Sequence, residues 1–126
     1  MDRARSILER IDLAHIFGPQ SRAEVPFLVN ADRDGEAVQL SGRIDRLVVD
    51  DEGVLVIDYK SDAHVPDRPE AIPARYLTQL GLYALVAGQL FPGRIVRAAI
   101  LWTELESLMN LPQDLLGAAG KNFTLQ

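Results

Sequence analysis

Asp58 and Lys60 stand two positions apart at the end of the apolar run Val54-Leu55-Val56-Ile57. In an extended strand, residues two apart leave the same face, so the acid and the amine continue the row begun by Val54 and Val56. An aspartate at the end of a buried row costs stability unless a partner or a ligand compensates it. Upstream lies Asp45, separated from Asp58 by the turn signal Asp50-Asp51-Glu52-Gly53. If the loop of that turn has an even number of residues, the two strands pair with Asp45 opposite Asp58, their β-carbons about 4.5–5.5 Å apart. Two facing carboxylates repel unless a proton or a cation lies between them, and a divalent metal is the natural resolution.

Hard cations such as Mg²⁺ or Mn²⁺ choose oxygen ligands. Asp45, Asp58 and the backbone carbonyl of Tyr59 therefore offer half a coordination shell, with room for water and phosphate. A lysine beside such a cation stabilises the charge that develops in phosphoryl transfer, or orients the attacking water, and Lys60 is placed for that role. Plainer roles stay open: Asp45 pairing with Arg43 or Arg46, Asp58 bridging to Lys60, or Lys60 snorkelling to solvent at a strand end.

The elements that must position these residues are legible in the pattern. Ile7, Leu8 and Ile11 recur at helical spacing between Arg3 and Leu13, and Gly18-Pro19 stops that helix. A first strand is expected over Glu24 to Ala31, the Asp-rich turn Asp32 to Gly35 leads to a second from about Ala37 to Val49, and a third runs from Val54 to Lys60. Three prolines, Pro66, Pro69 and Pro73, make the next segment a loop, and Pro73 suits the first turn of a helix over Ala74 to about Leu90. The apolar run Ile95 to Trp102 reads as an interior strand with Trp102 as core, and a closing helix is expected near Gln113 to Ala119. A β-meander, a helix, a strand and a helix give one α/β domain over 1–126, with a mixed sheet flanked by helices.

Composition narrows the classes. Cysteine is absent, which excludes disulfides, iron–sulfur clusters and thiolate zinc sites. The net charge of −5 is opposite to the footprint of a free-standing nucleic-acid binder, although a cation site brings acidic residues with it. No membrane span or secretory leader is read, so the expected location is cytoplasmic. His15 and His64 have no partner at helical spacing and are left out of the site.

Three motifs together resemble a known family. Gly42-Arg43-Ile44-Asp45-Arg46-Leu47, then Val56-Ile57-Asp58-Tyr59-Lys60-Ser61, then Gln79-Leu80-Gly81-Leu82-Tyr83 look like the successive motifs of the PD-(D/E)XK nuclease superfamily in its RecB/AddA branch. The end of the chain, Ala99 to Thr103 followed by Leu108 to Pro112, is similar to the carboxy-terminal end of AddA-type subunits. The resemblance implies a restriction-endonuclease-like fold and a Mg²⁺- or Mn²⁺-dependent DNA exonuclease. It also implies a chain working with ATP-driven helicase domains and a second helicase-nuclease subunit in double-strand break repair at the nucleoid.

Carried over residue by residue, Asp45 and Asp58 match the metal-binding aspartates and Lys60 the catalytic lysine. Glu24 matches an acidic position that orients water or metal, and an ordinary strand-start glutamate is the alternative. Gln79 and Tyr83 match a helix motif near DNA, with Arg75 one turn earlier on the same stripe; the alternative is a helix face that covers the sheet, the tyrosine ring in the core and its hydroxyl capped. The branch's upstream metal-binding histidine, in an R-G-x-x-x-H context, has no counterpart here, and the chain reads as a fragment beginning after that helix and lacking the helicase motor. A catalytically degenerate module that binds DNA or a partner subunit, or a hydrolase of another phosphoester, are the rival functions.

Overall fold

The computed structural model describes residues 16–121 and 123–125. The helix expected over Arg3 to Leu13, and His15, lie outside them. Six strands form one sheet in the order β5-β4-β3-β2-β1-β6. They are β1 (Ser21–Arg33), β2 (Glu36–Asp50), β3 (Gly53–Lys60), β4 (Val96–Trp102), β5 (Ser107–Asn110) and β6 (Phe123–Leu125), with helices α1 (Ala74–Leu90) and α2 (Gln113–Ala119). The α/β class, the meander and the order of the larger elements are those expected. β5 and β6 were not expected, and β1 and β2 extend past their expected ends.

Both hairpins of the meander close through two-residue loops. Arg33 pairs with Glu36 across Asp34-Gly35, whose φ angles of 53° and 89° are the left-handed pair that a tight hairpin turn requires. Asp50 pairs with Gly53, and the Asp50 carboxylate accepts the Glu52 and Gly53 N–H groups at 2.8 and 3.2 Å. After β3 the chain crosses through α1 to β4, which lies parallel to β3, so the meander becomes a mixed sheet.

β3 and β4 are central and apolar on both faces. On one face Val54, Val56, Ile100 and Trp102 meet Leu80, Tyr83 and Val86 of α1. On the other, Val48, Leu55, Ile57, Ala99 and Leu101 form a second cluster with Ile16. Asp58 is the single buried charged residue among those described, at 2% exposure.

α2 docks on α1 where two glycines meet. A β-carbon on Gly81 would stand 2.7 Å from the Gly120 nitrogen and 2.8 Å from the Ala119 carbonyl carbon. Those neighbours are backbone and cannot rotate away. Alanine gains roughly 1 kcal/mol over glycine inside a helix, but overpacking against a fixed neighbour costs about 1–3 kcal/mol. The clash wins. Gly81→Ala is expected to lower the urea midpoint, and an unchanged or higher midpoint would show that α2 can shift freely.

Candidate active site

The register of β2 on β3 runs from Asp50 with Gly53 to Arg46 with Ile57. Continued by one step, it sets Asp45 beside Asp58, as the even loop requires. The backbone pairing stops at that point. Val54 N–H bonds to Ile95 and Thr103 N–H to the Lys60 carbonyl, so even-numbered residues of β3 turn their backbone groups to β4 and odd-numbered ones to β2. Tyr59 N–H should then bond to the carbonyl of Ile44. It donates instead to the Asp45 carboxylate at 2.8 Å. A side chain replaces the last rung of the ladder, and by the same alternation the Tyr59 carbonyl is aimed toward the β2 side.

The reason lies in both outer strands. Val25, Phe27, Val29 and Ile44 face α1, yet so do Leu47 and Val49. Ile44 and Leu47 are three apart and should face opposite ways in a regular strand. The alternation reverses between them, at Asp45 and at Glu24, the residue skipped between the pairs Ala23–Arg46 and Val25–Ile44. Glu24 has φ of 52°, a left-handed conformation that costs a non-glycine residue roughly 1 kcal/mol. The reversal brings the Asp45 side chain to the level of Asp58 while Arg46 turns to the far face. There Arg46 donates to the Tyr59 hydroxyl at 2.6 Å and to Ser21 Oγ at 2.7 Å, and its guanidinium lies 4.7 Å from the centre of the Phe17 ring. This clamp ties β1, β2 and β3 together behind the acids.

Asp58 meets Asp45 on one side and Lys60 on the other. Burial and the Asp45 carboxyl push its pKa from 3.8 to about 6, against the lowering pull of Lys60. Lys60 Nζ is 2.9 Å from Asp58 Oδ2, so this buried carboxylate carries one ion pair and stands beside a second acid. Two carboxyl groups side by side, one of them buried and raised in pKa by the other, are the chemistry a hard cation completes, and the residues present fit one. The described residues contain no cluster of three acids or histidines, so Glu24, which is exposed, does not join the pair.

The helix motif turns inward. Lys60 Nζ donates to Gln79 Oε1 at 3.0 Å, and Gln79 Nε2 donates to the Tyr83 hydroxyl at 2.8 Å. Tyr83 is 7% exposed, with its ring edge-on to Phe27 at 5.6 Å, and burial raises the pKa of its hydroxyl. Gly42 makes room for that pair, because a β-carbon there would come within 3.1 Å of the Phe27 ring. Gln79 and Tyr83 thus take the core-facing arrangement with a capped hydroxyl. Arg75 points outward along the side of Tyr76. Tyr76 and Asp62 touch this network and were not singled out in the sequence. Their positions, three residues before Gln79 and two after Lys60, are the signals that would have found them.

A family model described as the PD-(D/E)XK nuclease superfamily matches residues 2–113. The chain belongs to that superfamily. Among curated proteins it is 32% identical over 113 residues, 87% of this chain, to an ATP-dependent helicase/nuclease subunit of Lacticaseibacillus casei, and covers 9% of that protein. It is 40% identical over 68 residues, 54% of this chain and 5% of the relative, to the subunit of the same name from Pelotomaculum thermopropionicum. It is also 33% identical over 81 residues, 63% of this chain, to a CRISPR-associated exonuclease Cas4/endonuclease Cas1 fusion of Myxococcus xanthus, of which it covers 14%. The chain therefore spans a small part of each curated relative. Among solved structures, the crystal structure of SSO0001 superposes with a TM-score of 0.51 at 16% identity, covering 94% of this chain and 57% of the other, which supports the restriction-endonuclease-like fold.

Proposed function

We propose that this nuclease-superfamily chain is a divalent-metal-dependent DNA exonuclease domain that works with helicase domains in double-strand break repair. The observation that carries it is the buried Asp58 carboxylate held between Asp45 and Lys60. Asp45, Asp58 and the Tyr59 carbonyl would hold Mg²⁺ or Mn²⁺. Such a cation supplies positive charge to a phosphodiester and lowers the pKa of water nearby. Asp45 is aimed by the Tyr59 N–H, so its orientation does not depend on a ligand. Lys60, steered by Gln79, sets an ammonium beside the acids where negative charge accumulates on a phosphate in transfer. Tyr83 acts through Gln79, and Arg75, exposed at the start of α1 beside Tyr76, presents a cation to a DNA phosphate.

The names of the relatives support two kinds of partner for the full protein, helicase domains and a second helicase-nuclease subunit. Location at the nucleoid follows from that reading. No described helix is long and apolar enough to cross a membrane. The exposed Glu24 and the two-acid site favour one rival, a degenerate module that binds without cutting.

Incubating the chain with end-labelled single-stranded DNA and Mn²⁺ tests the proposal. Progressive shortening that stops with chelator is expected. DNA retained intact, together with no heat on Mn²⁺ titration, would establish the scaffold instead.

A further inference from the structure

A lysine side chain has four rotatable bonds, and fixing it costs up to about 2 kcal/mol of rotamer entropy. At 18% exposure Lys60 has a way out to solvent, so something must keep its ammonium beside the acids. Asp58 Oδ2 at 2.9 Å and Gln79 Oε1 at 3.0 Å hold two sides. The third is the ring of Tyr76, whose centre lies 4.3 Å from Nζ. Tyr76 precedes Gln79 by one helical turn, so the two reach Lys60 from the same stripe of α1.

The ring itself is fixed. Its hydroxyl donates to the Asp62 carboxylate, at 2.8 Å from Oδ2 and 3.0 Å from Oδ1, and Trp102 lies against it at 6.3 Å between ring centres. Arg75 places a second cation 4.6 Å from the same ring centre and reaches the hydroxyl at 3.4 Å. Two cations on one ring would repel, and the Asp62 carboxylate offsets them while enriching the ring's electron density through the phenolic hydrogen bond. Asp62 lies in the proline-rich loop, so the loop and α1 are tied at the same point.

From this arrangement we infer that Tyr76 is a positioning residue for Lys60, its ring closing the ammonium's socket and Asp62 holding the ring through its hydroxyl. The inference rests on the nuclease reading of the site. Tyr76 touches no reacting group in it and acts through Lys60.

Tyr76→Leu, Tyr76→Phe and Asp62→Ala, each in the whole chain, test it by Mn²⁺-driven cleavage of single-stranded DNA and by proton NMR of the Lys60 ε-methylene. Tyr76→Leu is expected to lower kcat about 10- to 100-fold, with KM and the Mn²⁺ midpoint unchanged. Tyr76→Phe keeps the ring face and should lose only about threefold, and Asp62→Ala, in an exposed loop, should fall between the two. The ε-methylene signal, shifted upfield by the ring in wild type and in Tyr76→Phe, should move back toward the position of a free lysine in Tyr76→Leu. Folded Tyr76→Leu cutting at the wild-type kcat overturns the inference, as does a wild-type lysine signal without the upfield shift. If Tyr76→Leu does not fold, Asp62→Ala decides: wild-type kcat and an unmoved lysine signal overturn it. Wild-type chain that leaves DNA intact despite the upfield signal refutes the nuclease reading itself.

Discussion

Replacing Lys60 or Asp58 with alanine is expected to stop DNA cutting while the protein stays folded. The two losses have different origins. Lys60→Ala removes the positive charge next to the acids and leaves the carboxylate pair in place, so Mn²⁺ should bind at least as well as in wild type while the rate falls by roughly 10³-fold, in the range for losing one group that stabilises charge in a transition state. Asp58→Ala removes one of two carboxylates available to a cation and should abolish Mn²⁺ binding and cutting together. Calorimetry with Mn²⁺ separates the variants before any DNA is added. Cutting retained by either variant would remove that residue from the site, and a weaker Mn²⁺ isotherm for Lys60→Ala would mean that the lysine shapes the acids rather than the chemistry.

The second large effect is on stability without metal, and its sign runs against the usual acid behaviour. Desolvation and the Asp45 carboxyl raise Asp58 to about 6 in the folded chain, from 3.8. Between those values the folded state binds more protons than the unfolded one. The stabilisation from this group is complete below about pH 4 and is lost as pH rises through 6, a difference on the order of 3 kcal/mol. In chelator, Asp58→Asn keeps a hydrogen-bonding group opposite Asp45 without the charge. It should therefore be more stable than wild type at pH 7.5 by a similar margin, about 3 kcal/mol, and within about 1 kcal/mol of it at pH 4.5. Adding Mn²⁺ should reverse the order at pH 7.5, since only the wild type gains from binding. Urea midpoints at the two pH values decide it, and parallel stability curves for the two proteins would show that the carboxylates do not strain one another.

These effects depend on a juxtaposition that was largely legible in the sequence. The Asp50–Gly53 turn has few backbone solutions, and a two-residue loop fixes the register that sets Asp45 beside Asp58. The two-residue period of β3 then puts Lys60 on the same side. α1, β4 and α2 were bounded by prolines and by unbroken apolar patterning.

Other features left no such mark. β5 and β6 are edge strands of four and three residues, too short to show a period, and they exist because β4 and β1 offer them an open edge. The reversal at Glu24 depends on a positive φ at a residue type that rarely adopts one, so composition gives no warning of it. It also explains why Glu24 is exposed instead of joining the acids. Helical spacing placed Arg75, Gln79 and Tyr83 on one stripe, but it does not say which of them turns to the sheet. Gln79 meets Lys60 and Tyr83 meets Gln79, while Arg75 meets solvent and the ring of Tyr76. The same spacing concealed Tyr76, whose contribution depends on an aspartate in a loop that has no period.

The place where β2 leaves β3 has a mechanical corollary. From Ile44 outward β2 is bonded to β1, and among the described residues the further strand that pairs with this ribbon is β6, through three residues. One carboxylate rides at the root of this ribbon and the other is rooted in the rigid centre. The Phe27–Tyr83 contact is one of the points where ribbon and helix α1 meet. Leverage applied far out along the ribbon, at the Asp34-Gly35 tip, would act on the spacing that determines how well a cation fits.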